Sequence, residues 1–171
     1  LVVLPNDRMV ALDTSLQCLH GYTPDGSIDL TFGTNGIVEP DIGVADIAYS
    51  PLGKIVAAGK ITGALAIQQF FTNGSVDTDF GVSGVSSTVF PINSYFHGLT
   101  ISPSGKIFAT GMNYASTVAE PRLIVASYLP NGSIDTRFGN GGVVVPYEAI
   151  SNVGYAVAVQ TDGRVLVTGS H

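Results

Sequence analysis

Three aspartates recur at the same place in a short repeated motif, and they are the first candidates for chemistry. Asp29, Asp77 and Asp135 each follow a turn of Asn or Asp, Gly and Ser, so that oxygen-bearing side chains alternate along the chain. Alternating oxygen donors on a tight loop are typical of calcium sites. These three acids and Asp25, which opens the first turn, are therefore candidate calcium ligands on their loops.

A structural role competes with calcium binding for the same residues. A complete calcium loop also needs a later bidentate acid, and no acid recurs at a fixed offset in all three copies. The carboxylates could instead accept backbone N–H bonds of the next turn, while the phenylalanines three residues on pack inwards. Because a residue repeated in every unit usually holds each unit together, we expect this structural role. We expect no metal and no other cofactor.

Binding residues are expected where the repeats differ, on loops between the regular elements. The link around residues 91–97 and the long loop 111–122 carry aromatic and polar side chains. Aromatic faces beside hydrogen-bonding groups suit a sugar or a peptide, although such aromatics also pack over sheet edges. The candidate ligand-binding residues are Tyr95, Tyr114 and Glu120.

The remaining reactive side chains do not form a catalytic motif. The three histidines, His20, His97 and His171, occupy unlike places in the repeat, and none has the spacing of a metal pair. Cys18 is the only cysteine and lies in an apolar stretch, which favours a buried structural thiol. The chain has no nucleophile elbow and no glycine-rich phosphate loop. We therefore expect a protein that is not an enzyme.

The elements that position these residues come from two alternating motifs. The first motif contains Asn/Asp-Gly-Ser-Ile/Val-Asp and ends in Phe-Gly; its turn glycines are Gly26, Gly74 and Gly132, which lie 48 and 58 residues apart. The second motif is a Gly-Lys or Gly-Arg turn between two apolar runs. Its basic residues are Lys54, Lys106 and Arg164, with a divergent copy at Arg8.

Each motif marks a hairpin, because glycine supplies the positive φ that tight turns between strands require. The two hairpins in alternation predict fourteen strands in units of about four, which is the composition of a β-propeller blade. No window has the apolar period of a helix.

The expected fold is all-β, a propeller-like array of four-stranded blades with three and a half repeats. The expected boundaries are 1–15 for a partial blade, then 16–63, 64–115 and 122–171 for three repeats. About four blades are needed to close a ring. We therefore expect the ring to be completed by the rest of a longer chain or by another copy.

Composition excludes several classes of partner. The net charge is −6, and only seven Lys and Arg residues are present, without clustering. A nucleic-acid backbone needs a basic surface, so nucleic-acid binding is not expected. No apolar run approaches the roughly 20 residues that cross a bilayer, so membrane insertion is not expected either.

The two alternating motifs resemble the delta-60 repeat family of bacterial β-propeller-type proteins. The resemblance covers essentially the whole chain, with departures at Leu30-Thr31 and at Asp7-Arg8. It implies a repeat of a large secreted or surface bacterial protein, and therefore an extracellular or cell-surface location. It brings no catalytic residues.

The expected function is a non-catalytic scaffold that binds a protein or glycan through its blade loops. Two alternatives remain at this point. One is a glycan-acting propeller enzyme of the sialidase or lyase type, since propellers of other sequence host such sites. The other is a structural repeat stabilised by calcium.

Overall fold

The computed structural model describes residues 1–89, 94–114, 121–146 and 152–170, and these residues form an all-β protein. Apart from one 3-10 turn at Pro5–Asp7, their regular structure is strand. The fourteen strands are, in chain order, β1 (Val2–Val3), β2 (Met9–Asp13), β3 (Cys18–Tyr22), β4 (Ile37–Val38), β5 (Gly43–Ser50), β6 (Lys54–Ile61), β7 (Ala64–Phe71), β8 (Val85–Val89), β9 (Tyr95–Ile101), β10 (Ile107–Tyr114), β11 (Pro121–Tyr128), β12 (Val143–Val144), β13 (Val153–Val159) and β14 (Val165–Ser170).

The strands form successive antiparallel sheets in which strands that follow one another in the chain are neighbours. The first sheet is β1-β2-β3-β4, the second is β5-β6-β7-β8 and the third is β9-β10-β11-β12. Among the described residues the fourth sheet has two strands, β13 and β14. Each second motif is the hairpin between the first two strands of a sheet. In the second sheet, for example, Gly53 turns the chain at φ +76° and donates its N–H to the Ser50 carbonyl at 2.9 Å.

A β-bulge in the first strand of each of the last three sheets explains why the second motif ends in Gly. The register between β5 and β6 shifts between Val44 and Asp46, so Ala45 has no partner. The backbone of Gly43 then passes so close to Gly59 that any Cβ on Gly59 would overlap the Gly43 carbonyl oxygen. The same shift leaves His97 and Tyr155 as the bulged residues of β9 and β13.

The sheets fan outwards from their first strands. β1 contacts β5, β5 contacts β9, and β9 contacts β13. Apolar side chains of neighbouring sheets fill the spaces between them. One buried cluster includes Phe32 of the first sheet with Ala66 and Phe70 of the second. Another includes Leu65 and Phe80 of the second sheet with residues of β9, β10 and β11. This radial packing confirms the expected propeller-like array of four-stranded blades.

The sheets are offset from the repeat boundaries expected from the sequence. Residues 1–15 supply β1 and β2, which are half of a complete four-stranded sheet, whereas the two-stranded sheet lies at residues 153–170. Segments 16–63, 64–115 and 122–171 each begin with the outer half of one sheet and continue into the inner half of the next. Every sequence repeat therefore joins two neighbouring sheets.

None of the helical structure in the described residues has the length and apolar character needed to cross a membrane.

Candidate functional site

The repeated aspartates lie at the start of a buried corner in the first three sheets. Asp29, Asp77 and Asp135 are 5%, 6% and 2% exposed. Each lies just after the turn between the third strand and the Phe-Gly corner, where its backbone N–H bonds back to the third strand. Asp77, for example, donates to the Gln69 carbonyl at 3.0 Å.

Each of these carboxylates forms an ion pair with the basic residue of the second motif in its own sheet. Lys54 Nζ lies 2.5 Å from Asp77 Oδ2, and Lys106 Nζ lies 2.5 Å from Asp135 Oδ2. In the first sheet the Arg8 guanidinium contacts Asp29, with Nε 2.7 Å from Oδ2. The pair joins the inner hairpin of a sheet to its outer corner. Burial of the carboxylates makes these pairs stronger than exposed ones.

The second oxygen of two of these aspartates caps the following turn. Asp29 Oδ1 accepts the Thr31 N–H at 3.0 Å, and Asp135 Oδ1 accepts the Arg137 N–H at 3.3 Å. The Thr31 hydroxyl, followed by the Thr31 N–H and Arg8, lowers the pKa of Asp29 despite its burial. The Lys106 ammonium is the main group that lowers the pKa of Asp135.

The candidate calcium residues are therefore engaged with protein groups. Asp25, unlike the other three, is exposed, and its Oδ1 accepts the Ser27 N–H at 3.1 Å within its own turn. Across the described ranges, no three His, Cys, Asp or Glu side chains are grouped so that they could hold a metal ion. Calcium stabilisation remains a hypothesis without a contact in its favour among those residues.

A cleft between the second sheet and the start of β9 collects residues that the repeats do not share. It has a volume of about 410 Å³, and its walls include Asp41, Lys60, Thr62 and Tyr95. An adjoining pocket of about 380 Å³ shares Lys60 and Tyr95 and extends to His97. We call the two together the Lys60–Tyr95 cleft.

Lys60 and Tyr95 interact directly in this cleft. The Lys60 ammonium lies 4.4 Å from the centroid of the Tyr95 ring, within the range of a cation–π contact. Lys60 is exposed and Tyr95 is half-buried, so the aromatic ring is fixed while the cation stays in contact with solvent. The position that follows the motif glycine holds Lys60 in β6 and Met112 in β10. The cation is therefore a feature of one sheet and not of the repeat.

Asp41 is held in place on the other wall of the cleft by an amide side chain. Gln68 Nε2 donates to Asp41 Oδ2 at 2.6 Å, and the Asp41 N–H donates to Gln68 Oε1 at 2.9 Å. Gln68 is fully buried, so this reciprocal pair fixes the exposed carboxylate. A fixed carboxylate, a lysine and an aromatic ring can together bind a ligand with several polar groups and one apolar face.

His97 is a cleft residue that sequence analysis did not identify as a candidate. Its bulged position turns it towards the next sheet, where its ring packs edge-on against Tyr155 at a centroid distance of 5.8 Å. Its Nε2 is buried and has no hydrogen-bond partner among the described residues. Burial lowers the pKa of His97. The alignment of His97 with Ala45 and Tyr155 was visible in the sequence, but the bulge was not.

The three candidate ligand-binding residues from the loops do not lie together in the structure. Tyr95 lies in the cleft. Tyr114 ends β10, where it pairs with Pro121 of β11, and it is not among the residues that line the cleft. Glu120 lies outside the described residues, as does His171.

Comparison with known proteins supports the repeat architecture. Residues 53–80 match a family model described as "Domain of unknown function (DUF5122) beta-propeller". The matched segment runs from the second motif to the Phe of the next first motif, and so it contains both partners of the Lys54–Asp77 ion pair. The chain has no significant match among curated proteins. The four-stranded antiparallel sheets give the chain a β-propeller-like fold, and the match to residues 53–80 agrees with that fold.

Proposed function

We propose that the chain is a non-catalytic propeller module that binds a glycan or protein partner at the Lys60–Tyr95 cleft. The resemblance to delta-60 repeats supports a place in a larger secreted or cell-surface bacterial protein. In this role the repeated residues maintain the sheets, and the residues that differ between sheets make the binding surface.

The proposal rests on the different positions of these two sets of residues: the repeated ones pair inside each sheet, and the others line a cleft. The repeated Asp and Lys or Arg side chains neutralise one another inside each sheet. Lys60, Tyr95 and Asp41 are not repeated, and they converge on one open cleft. Functional residues concentrate on variable loops that a rigid scaffold supports.

The chemistry of the cleft favours a glycan over a peptide. The Tyr95 ring offers an apolar surface to the C–H face of a sugar, and the Thr62 hydroxyl and Asp41 carboxylate can bind sugar hydroxyls. The Lys60 ammonium can pair with an acidic group of the ligand. We therefore expect the preferred ligand to be an acidic polysaccharide, one that carries uronic or sialic acid groups.

A glycan array probed with the 171-residue chain tests the proposal. We expect binding to acidic glycans that falls at least about tenfold in the Tyr95→Ala and Lys60→Glu variants, as expected for loss of a central aromatic or charged contact. Tyr114→Ala is the matched control, because it removes a tyrosine of the same sheet that does not line the cleft.

The same array separates the alternatives. Release of shortened glycans during incubation would favour a sialidase or lyase activity over binding alone. Binding to extracellular proteins but to no glycan, with the same loss in Tyr95→Ala, would identify a protein ligand. Equal binding by the parent chain and both cleft variants would contradict the proposed site.

A further inference from the structure

Four asparagines of the chain are followed directly by glycine, and their surroundings in the fold differ sharply. The dipeptides are Asn35-Gly36, Asn73-Gly74, Asn131-Gly132 and Asn140-Gly141. Asparagine is a thermolabile residue, because the next backbone nitrogen can attack its side-chain carboxamide. Glycine favours this attack, since it has no Cβ to keep the two groups apart. In a folded chain the reaction also requires that the glycine N–H is not held by another group.

In the first three dipeptides the glycine N–H is held in a hydrogen bond. These N–H groups donate at 2.9 Å to the carbonyls of, in chain order, Phe32, Phe71 and Leu129. All three glycines are buried. In two of the dipeptides the carboxamide is fixed as well, because Asn73 Oδ1 and Asn131 Oδ1 each accept a serine N–H of the same turn at 3.0 Å. Attack at these asparagines requires the turn to open first.

The fourth dipeptide lies in the tight turn that leads into β12, and its glycine N–H is not held. Asn140 and Val143 close the turn: the Asn140 N–H donates to the Val143 carbonyl at 2.8 Å, and the Val143 N–H donates back at 3.3 Å. Between them Gly141 and Gly142 have φ +62° and +100°. Gly141 is exposed, and neither its N–H nor the Asn140 carboxamide has a hydrogen-bond partner among the described residues. Both reacting groups are therefore accessible.

The equivalent turns into β4 and β8 are open in the same way, although a further sheet packs beside each of them. Their residues equivalent to Gly141 are Asn35 and Ser83, which are exposed and have φ +53° and +52°. Neither N–H has an acceptor in the part of the chain that the structure describes. The preceding residues, Thr34 and Val82, carry no carboxamide. Of these three turns, the third alone combines an open backbone amide with asparagine and glycine.

We propose that Asn140 is a site of spontaneous modification, at which the folded protein converts asparagine to isoaspartate and aspartate. The Gly141 nitrogen forms a bond to Asn140 Cγ. The bond between Cγ and Nδ2 breaks, and Nδ2 leaves as ammonia with the proton of the glycine amide. A solvent water molecule then opens the cyclic imide at one of its two carbonyls. Opening at Cγ keeps the main chain as aspartate, and opening at the other carbonyl leaves isoaspartate.

The modification changes both the charge and the backbone of this turn. Either product places a carboxylate at residue 140, and isoaspartate also adds one carbon to the main chain. The carbonyl that accepts the Val143 N–H then becomes part of a side group. β12 pairs with β11 only through Val125↔Val144 and Ala126↔Val143, so it has few other bonds to hold it. We expect faster hydrogen exchange at Val143 in the isoaspartate form. The site is separate from the Lys60–Tyr95 cleft and does not depend on its function.

Peptide mapping by mass spectrometry tests the proposal on the purified 171-residue chain. The chain is incubated in neutral and in mildly alkaline buffer, and the replacement of NH₂ by OH is followed at all four asparagines. We expect Asn140 to be lost at least about tenfold faster than the other three, because their glycine amides must first break a hydrogen bond in a closed turn. The loss should be faster in the alkaline buffer, since the attacking nitrogen must give up its proton.

Unfolding the chain provides the first control. In concentrated urea the four dipeptides lose their turns, so we expect their rates to agree within about threefold. Digestion in water enriched in a heavy oxygen isotope marks any asparagine that reacts during the mapping itself. Only unmarked product is counted.

Two variants exchange the reactive dipeptide between equivalent turns. Gly141→Ser gives the third sheet the residue of the second, where Ser83 has φ +52°, and a Cβ at Gly141 would have no neighbour within 4 Å. We expect it to slow the loss of Asn140 severalfold, because the added side chain hinders the attack. The Val82→Asn, Ser83→Gly double variant moves the dipeptide to the second sheet, beside which the third sheet packs. We expect the introduced asparagine to react at a rate similar to that of Asn140.

Three outcomes would overturn the proposal. One is equal loss of all four asparagines in the folded chain. Another is an unmodified Asn140 in the folded chain after a time in which the urea-unfolded chain has reacted. The third is an unreactive introduced asparagine in the double variant, which would mean that the open turn does not determine the reaction. These measurements involve no glycan, so their failure leaves the cleft proposal untouched.

Discussion

The Lys54 ammonium lies 2.5 Å from Asp77 Oδ2 and joins the two repeated motifs within one sheet. The two residues are 23 positions apart, and the β6–β7 pairing brings them together by placing Lys54 opposite Phe71. Lys54 also lies 3.6 Å from the centroid of the Phe71 ring. The alternation of the motifs in the sequence thus reflects a contact that recurs in three sheets.

The bulge glycine of the second sheet should not tolerate a side chain. We expect Gly59→Ala to lower the free energy of unfolding by about 2–3 kcal/mol, because its Cβ would overlap the Gly43 carbonyl and force the strands apart. The measurement is urea denaturation followed by circular dichroism.

Gly43→Ala is the control for this substitution, since Gly43 pairs with Lys60 and supplies the carbonyl oxygen that a Cβ on Gly59 would meet. A Cβ on Gly43 would have its nearest neighbours at 3.6 Å, in ordinary contact. We expect a change within about 0.5 kcal/mol. Equal losses in the two variants would mean that the bulge is not built as described.

The hydroxyl of Tyr128 should contribute to the packing of the second sheet on the third. It lies 2.9 Å from Thr88 Oγ1 of β8, and burial raises the pKa of Tyr128 to about 12. We expect Tyr128→Phe to destabilise the protein by about 1 kcal/mol, the usual net value of such a bond. An alkaline absorbance titration should show one tyrosine of the parent that ionises last and is missing in the variant.

Tyr22→Phe is the matched control, because Tyr22 precedes its turn glycine by the same four residues as Tyr128. Its hydroxyl has no hydrogen bond to a described residue. We expect no loss of stability from this change. A larger loss for Tyr22→Phe than for Tyr128→Phe would contradict the assigned contact between sheets.

Acid should destabilise the fold through the motif aspartates. The pKa values of Asp29 and Asp135 are lowered in the folded chain, so the unfolded chain binds protons more readily. Their contribution is present above the ordinary aspartate value of 3.8 and is lost as the pH falls below it. We expect the melting temperature to fall between about pH 4 and pH 2 because of these aspartates, after a smaller loss below pH 6.5 from His97, whose pKa is also lowered in the folded chain.

An Asp29→Asn, Asp135→Asn double variant provides the comparison. At pH 7 its melting temperature should be lower than that of the parent chain. On acidification its melting temperature should fall by less than that of the parent. Parallel curves for the parent and the double variant would show that other groups are responsible.

The sequence was sufficient to predict the sheets because glycine turns and apolar runs are local signals. Gly53 needs a positive φ, and its flanking runs can pair only with each other across a short turn. The turn-capping role of Asp29 was predictable for the same reason, because its acceptor atom and the Thr31 donor are two residues apart.

The cleft could not be predicted, because it depends on contacts between sheets. Tyr95 meets Lys60 only after the bulge in β9 and the packing of the third sheet on the second have set their distance. Asp41 gave no local signal, since its partner Gln68 is 27 residues away in a buried strand. The Lys54–Asp77 ion pair was missed for the same reason, although both residues belong to repeated motifs.

The central claim is that the repeated ion pairs stabilise each sheet. Ligand binding is then the role of residues that the repeats do not share. A double-mutant cycle with Lys54→Met and Asp77→Asn, measured by urea denaturation, tests it most directly. We expect each single change to cost about 1–3 kcal/mol and the pair to cost clearly less than their sum, with a coupling energy of about 1 kcal/mol or more. Additive losses, with a coupling energy near zero, would contradict the claim.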